Sequence, residues 1–176
     1  MKIYIFFFSL LMLPGFKTYG VQFDLTDSQK IVPMNQWGPL TYNTQISIGL
    51  DSNTNKFRTN EIINLLVRIK NVSTNDGFGM IVGLPITFTE GASFLVTSPS
   101  GKDLTPAMQH SYRLQGLATW IQPNHVEGFA FHFDEICQYN EIGTYKILVK
   151  MQRPSPDRRK LFDVISNPLY VTIIPD

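Results

Sequence analysis

Apolar residues alternate with polar or small ones along two segments late in the chain, and this spacing constrains the fold more than any other feature. In the first segment, Phe129, Phe131 and Phe133 occupy every other position. In the second segment, which follows a polar corner ending at Gly143, the alternating residues are Tyr145, Ile147, Val149 and Met151. A period of two places each set on one face of a pleated strand. We therefore predict two half-buried antiparallel strands, and the rest of the chain must supply the facing sheet.

The same alternation predicts strands elsewhere. The clearest covers Ile63 to Ile69 and is expected to be central, because the pattern continues without a break. Alternation also predicts strands over residues 46–50, 86–88, 93–97 and 169–173, and a weaker pattern predicts one over 111–117. Turn-forming residues separate them at 51–55, 72–83, 98–101 and 123–124, and residues 134–142 are expected to hold a short helical turn.

This arrangement predicts an all-β chain. Seven to nine short strands with frequent turns favour an immunoglobulin-like antiparallel β-sandwich over residues 44–176, with a β-barrel as the alternative. Tyr145, at the start of the next-to-last predicted strand, has the position of the tyrosine corner of that fold, whose hydroxyl bonds to nearby backbone. The Cys, Trp and Cys pattern of antibody domains is absent.

Residues 1–20 have the layout of a signal peptide. Lys2 precedes an apolar run from Ile3 to Leu13, and Thr18-Tyr19-Gly20 offers a small-residue cleavage site. The run is shorter than the roughly 20 residues that span a bilayer. We expect a secreted or periplasmic product with no stable membrane span after the segment is removed. An uncleaved anchor is the alternative, and residues 21–43 are expected to form an extended lead-in or edge strand.

Charge and cysteine content exclude some classes of protein. Lys2 and Lys17 lie in the predicted signal, so 13 basic and 14 acidic residues remain, a net charge of −1. A chain this close to neutral has no overall field to attract nucleic acid. Cys137 is the only cysteine, so no internal disulfide forms. It is expected to be a small buried hydrophobe, with pairing between two chains as the alternative.

Several short motifs resemble those of exported bacterial immunoglobulin-like domains. The motifs are Asn60-Glu61-Ile62, Lys70-Asn71-Val72-Ser73, Thr97-Ser98-Pro99-Ser100-Gly101-Lys102, Ile121-Gln122-Pro123, Gly143-Thr144-Tyr145-Lys146-Ile147 and Ser166-Asn167-Pro168. The resemblance covers about residues 44–174 and implies the fold and export without supplying catalytic residues. A lesser likeness is to small secreted β-sandwich proteinase inhibitors, although no reactive-loop motif matches theirs.

A basic loop is the candidate binding site. The segment predicted to be a protruding hairpin loop has one acidic residue, Asp157, and four basic residues: Arg153, Arg158, Arg159 and Lys160. Loops at the end of a sandwich present binding surface. We expect the hairpin loop to contact an acidic partner or an anionic glycan, with the loop at residues 72–83 as a second contact. A solvated turn without a partner is the alternative.

Other candidate chemistry is weaker. His125, Glu127, His132 and Asp134 include metal-ligating types, but nothing in the sequence brings the two pairs together, so we expect a solvent-facing strand side. No serine lies in a Gly-x-Ser-x-Gly elbow, and a pair of Cys137 with His132 has no further support. The sequence therefore predicts neither an enzyme nor a cofactor.

Aromatic residues and one sequon complete the candidates. Trp37, Trp120 and Tyr112 could form a platform for a sugar ring, although core packing is the expected fate of Trp120. Asn71-Val72-Ser73 is a formal glycosylation sequon at an ordinary turn. We predict a non-enzymatic exported module that binds a protein or a cell-surface component, with a secreted proteinase inhibitor or a carbohydrate-binding module as alternatives.

Overall fold

The computed structural model describes residues 36–83, 87–88, 93–105, 117–155 and 159–176. The strands are β1 (Thr44–Leu50), β2 (Lys56–Arg58), β3 (Asn64–Asn71), β4 (Phe78–Gly83), β5 (Thr87–Phe88), β6 (Ser93–Thr97), β7 (Leu117–Ile121), β8 (Val126–His132), β9 (Gly143–Pro154), β10 (Leu161–Ile165) and β11 (Leu169–Ile174). One short helix, α1 (Phe133–Ile136), lies among these residues. The predicted all-β class is confirmed. The predicted signal peptide and most of the predicted lead-in lie outside the described residues.

The strands form three sheets. Their orders are β1-β3-β8, β10-β9-β11-β2 with β6 also paired to β9, and β5-β4-β7. Neighbouring strands are antiparallel, apart from the parallel pair of β11 and β2. Strand β3 lies between β1 and β8, so the prediction of a central strand over this segment is confirmed. No helix in the described ranges has the length and apolar character needed to cross a membrane.

Strand β9 organises the second sheet. β6 pairs with its residues 146–150 along one edge, while β11 pairs with residues 143–147 and β10 with residues 150–154 along the other. The gap between β10 and β11 is bridged at Val149. Ser166 N–H donates to the Val149 carbonyl at 2.8 Å, and Val149 N–H donates to Ser166 Oγ at 2.9 Å. The long strand therefore keeps its hydrogen bonding across the break.

Alternating side chains from two sheets meet in one core. All four residues predicted from the alternation of β9 are buried: Tyr145, Ile147, Val149 and Met151. Across the core, Phe94 of β6 makes an edge-to-face contact with Phe131 of β8, with ring centroids 5.2 Å apart. Such aromatic pairs add to the stability that apolar burial already provides. The core thus joins the first sheet to the second.

The strand predicted through Phe133 ends one residue earlier. Phe129 is partly buried and Phe131 is buried, as the alternation indicates. Phe133 is fully buried but begins α1, where its ring stacks on Tyr139 with centroids 4.9 Å apart. Cys137 N–H donates to the Phe133 carbonyl at 3.1 Å and closes the single turn. The predicted helical turn is therefore present, over Phe133–Ile136.

Asn167 connects the second sheet to the edge of the first. Its Oδ1 accepts from Ile48 N–H at 2.9 Å, and its Nδ2 donates to the Ile48 carbonyl at 3.0 Å. Nearby, Gly38 N–H donates to the Ile46 carbonyl at 2.8 Å. A Cβ at Gly38 would lie 2.7 Å from the carbonyl carbon of Ser166, so only glycine fits there without a shift. The exposed edge of β1 is thus partly covered by chain that precedes β1 and chain that follows β10.

Tyr145 makes the hydrogen bonds predicted for it. Its side chain is fully buried, and its hydroxyl donates to the Glu141 carbonyl at 2.9 Å. The same oxygen accepts from Glu141 N–H at 2.8 Å. One phenol therefore holds both backbone groups of a corner residue, four positions earlier in the chain, against the start of β9.

Several strands differ from the sequence prediction. Residues 78–83, predicted as loop, form β4, which pairs with β7 and β5. The prediction was wrong because Asn75-Asp76-Gly77 and Gly79 were interpreted as turn residues, whereas Gly79 lies within the strand opposite Trp120. β10 was not predicted, and β9 continues to Pro154 instead of stopping before it. The predicted turns at Ser98–Gly101 and Pro123–Asn124 are present, with positive φ at Gly101 and Asn124.

Candidate functional site

The basic hairpin loop is shorter than predicted. Pro154 pairs with Leu161, so the strands enclose only residues 155–160. Ser155 N–H donates to the Lys160 carbonyl at 2.8 Å, and Lys160 N–H donates to Ser155 Oγ at 3.0 Å. Arg159 and Lys160 are exposed, while Arg158 lies outside the described residues. A hairpin between β9 and β10 is thus present, and its closing hydrogen bonds fix the backbone that carries two exposed cations.

Arg153 has a different environment from the cations at the tip. Its guanidinium carbon lies 3.5 Å from the centroid of the Phe78 ring, which is itself only 7% exposed. A guanidinium at this distance from an aromatic ring is attracted by the ring quadrupole. Arg153, which the sequence assigned to the binding loop, thus makes a contact within the protein. We call Arg153, Phe78, Arg159 and Lys160 the hairpin end.

The hairpin end brings together the two segments proposed as binding loops. Phe78 begins β4, directly after the turn at residues 73–77, and Arg153 lies near the end of β9. The sequence predicted that both segments contribute to one surface, but it gave no indication of a contact between residues 78 and 153. Stacking of Arg153 on Phe78 supplies that contact.

Trp120 lies beside this region and is not part of the core. It is 58% exposed, so the expectation that it packs inside was wrong. Its indole lies over two glycines of the neighbouring chain segment, Gly77 and Gly79. We call these three residues the indole platform. Glycines without side chains leave room for the ring on the outside of β4, which explains the exposure.

Trp37, also proposed for the sugar platform, packs against residues of the first sheet. The Trp37 ring has the Arg68 guanidinium 5.2 Å and the Lys70 ammonium 5.8 Å from its centroid. Arg68 is only 6% exposed and donates from Nη2 to Ser47 Oγ at 3.1 Å. Burial lowers the pKa of Arg68 from its ordinary value. Trp37 thus packs over cations of the first sheet, and Tyr112 lies outside the described residues.

The residues considered as metal ligands stay apart. Within the described ranges, no group of three or more His, Cys, Asp or Glu side chains is placed to hold a metal ion. His125 Nδ1 lies 3.1 Å from the Pro123 carbonyl in a turn, whereas His132 ends β8 opposite Asn64. Asp134 lies in the first turn of α1. The structure therefore does not bring the two predicted pairs into one site.

Cys137 packs against the core. It is partly buried, and desolvation raises its pKa from 9.0 to about 11, so the sulfur stays a protonated thiol near neutral pH. It lines a cleft of about 380 Å³ together with Lys102, Leu104, Ile136, Gln138, Asn140, Glu141 and Tyr145. A protonated, half-buried thiol is a poor nucleophile and a poor partner for disulfide formation.

The asparagine of the formal sequon, Asn71, makes hydrogen bonds within the fold. Asn71 is 1% exposed, and its Nδ2 donates to the Asp76 carbonyl at 2.7 Å and to the Ile121 carbonyl at 3.2 Å. Its Oδ1 accepts from Ser73 N–H at 3.0 Å. The amide nitrogen that a glycan would need is therefore buried and already used to hold the turn between β3 and β4 against β7.

Comparisons with protein-family models, with curated proteins and with solved structures find no match to this chain.

Proposed function

We propose that the chain is an exported immunoglobulin-like β-sandwich that binds another protein or a cell-surface component without catalysing a reaction. The shared core between the first and second sheets supports the sandwich. The two hydrogen bonds of the Tyr145 hydroxyl support the immunoglobulin-like arrangement, because they have the form of a tyrosine corner. Export rests on the sequence of residues 1–20 alone.

The hairpin end is the proposed binding surface, and the stacking of Arg153 on Phe78 is the observation that carries this assignment. The stack fixes the base of the hairpin to β4, so Arg159 and Lys160 are presented from an ordered base. Preorganised groups lose less conformational entropy when a partner binds. Two exposed cations on a chain of nearly neutral net charge give a local preference for an acidic partner.

A charge-removal experiment tests this function. The double variant Arg159→Ala/Lys160→Ala is compared with the parent for binding to a sulfated glycosaminoglycan fragment and to an acidic peptide. Each exposed ion pair contributes about 0.2–1 kcal/mol, so we expect the double variant, which loses two, to bind about twofold to thirtyfold more weakly. The difference should shrink as salt is added, since screening weakens exposed charge pairs.

A matched variant controls for net charge. Lys56 and Lys146 are exposed cations on β2 and β9, away from the hairpin tip, and Lys56→Ala/Lys146→Ala removes the same charge. It should bind both probes as the parent does. Equal weakening by the two double variants, or no weakening by either, would reject the hairpin end as the binding surface.

A proteinase-inhibitor role is tested separately by titrating the parent against a panel of proteases.

A further inference from the structure

In the indole platform, the Trp120 side chain lies against two glycines and is largely exposed to solvent. An ideal Cβ at Gly77 would overlap Trp120 Nε1 and lie 2.8 Å from Cε2, and one at Gly79 would lie 3.4 Å from Cε3. These atoms belong to both rings of the indole, so the side chain spans the two glycines. With 58% of the residue exposed, the ring presents its other side to solvent.

The glycine below the five-membered ring decides whether the indole can lie there. A methyl group at residue 77 would occupy the position of the ring and force it away, because the contact is closer than real Cβ atoms make. A methyl group at residue 79 would make an ordinary van der Waals contact with the six-membered ring. The platform therefore depends on Gly77 and tolerates substitution at Gly79.

Two polar residues directly precede Gly77 of the platform, on a turn held by hydrogen bonds. Asn75 and Asp76 are exposed and immediately precede Gly77. Their backbone is held from inside, since Asp76 N–H donates to Ser73 Oγ at 3.0 Å and the Asp76 carbonyl accepts from Asn71 Nδ2 at 2.7 Å. An amide and a carboxylate supply both the donors and the acceptors that hydroxyl groups need.

We propose that the indole platform binds one pyranose ring of a neutral oligosaccharide. The apolar C–H face of the sugar stacks on Trp120, and its hydroxyl groups bond to the side chains of Asn75 and Asp76. Binding sites for small ligands combine an apolar surface with a few polar groups that fix orientation, and this corner has both. The inference does not rest on the hairpin end, because it uses neither Arg159 nor Lys160.

A single-tryptophan variant gives a direct readout. The chain has two tryptophans, so Trp37→Phe leaves Trp120 as the only one. Its fluorescence is titrated with pentasaccharides of glucose, galactose, mannose and N-acetylglucosamine, and acrylamide quenching is measured at each end point. At least one sugar should change the emission and protect Trp120 from acrylamide. Trp120→Ala, assayed for the same sugar by calorimetry in the parent background, should bind at least about tenfold more weakly.

The two glycines supply the matched pair. Gly77→Ala should lose binding to the same extent as Trp120→Ala, while Gly79→Ala should stay within about twofold of the parent, and thermal melting confirms that both variants are folded. Arg159→Ala/Lys160→Ala should bind the sugar unchanged, which separates this inference from the function of the hairpin end. The inference is overturned if no pentasaccharide affects Trp120, if binding survives Trp120→Ala, if Gly79→Ala is as damaging as Gly77→Ala, or if Trp120 responds only to a protein partner.

Discussion

Single polar side chains each satisfy two backbone groups at the corners of this molecule. The Tyr145 hydroxyl holds the N–H and carbonyl of Glu141, and the Asn71 amide holds the carbonyls of Asp76 and Ile121. Both residues are essentially fully buried. Because buried backbone groups without partners cost free energy, these residues stabilise the turns more than their own burial implies.

Removal of the Tyr145 hydroxyl is expected to destabilise the fold. Tyr145→Phe keeps the ring in the core but leaves two backbone groups of Glu141 without their partner, so we expect the free energy of unfolding to fall by about 1–3 kcal/mol. Urea denaturation measures it. Tyr170→Phe on the adjacent strand is the control, since Tyr170 is 48% exposed and its loss should change little. Equal effects of the two substitutions would contradict the role assigned to the corner.

The Cys137 thiol is expected to react slowly in the folded protein. Only the thiolate is nucleophilic, and a pKa raised from 9.0 to about 11 leaves about a hundredfold less thiolate near neutral pH. Alkylation of the native chain should therefore be at least about a hundredfold slower than alkylation of the urea-unfolded chain. Its rate should keep rising with pH beyond the point where the unfolded chain levels off. Similar rates in the two states would show that the thiol is accessible and unperturbed.

Strands whose apolar residues alternate could be predicted from the sequence, and the others could not. The alternation in β9 and β11 reports directly which side chains face the core, because period two is the geometry of the pleat. Strand β4 has glycines where its partner strand carries Trp120, so its pattern depends on residues about 40 positions away. β10 was missed because its buried residues are few and its Leu161 and Ile165 are exposed.

The candidate sites show the same division. The exposed cations of the hairpin could be predicted, since charge and proline in a loop are local features. The stack of Arg153 on Phe78 and the position of Trp120 over Gly77 could not, because each joins segments that are distant in sequence. A signal was present in the two glycines flanking Phe78. Spaced by two, they share one strand face and leave room for a large side chain from a neighbour.

At the scale of the whole molecule, a shared core and a polar clasp hold the first two sheets together. The core buries apolar side chains of both sheets, while Asn167 on the segment between β10 and β11 pairs with both backbone groups of Ile48. The Tyr42 and Phe162 rings also stack, with centroids 4.9 Å apart, and join the segment before β1 to β10. The first two sheets are thereby held together by hydrogen bonds as well as by apolar contact.

Loss of the Asn167 clasp should weaken the whole fold. Asn167→Ala removes two hydrogen bonds to a buried edge strand, and we expect the free energy of unfolding to fall by about 1–3 kcal/mol. Thermal and urea denaturation, followed by circular dichroism, give the difference. Asn60→Ala serves as the control, because Asn60 is exposed and makes one long contact, of 3.3 Å, with Asp176. Equal free energies of unfolding for Asn167→Ala and Asn60→Ala would contradict this prediction.

The dependence of the second sheet on β9 has a consequence for how the chain is made. β6 pairs with β9, which is synthesised later. β2 pairs with β11, which lies more than 100 residues further along the chain. Contacts this far apart in sequence form slowly and only after long loops have closed. The second sheet therefore remains incomplete until β11 is available to pair with β2 and β9.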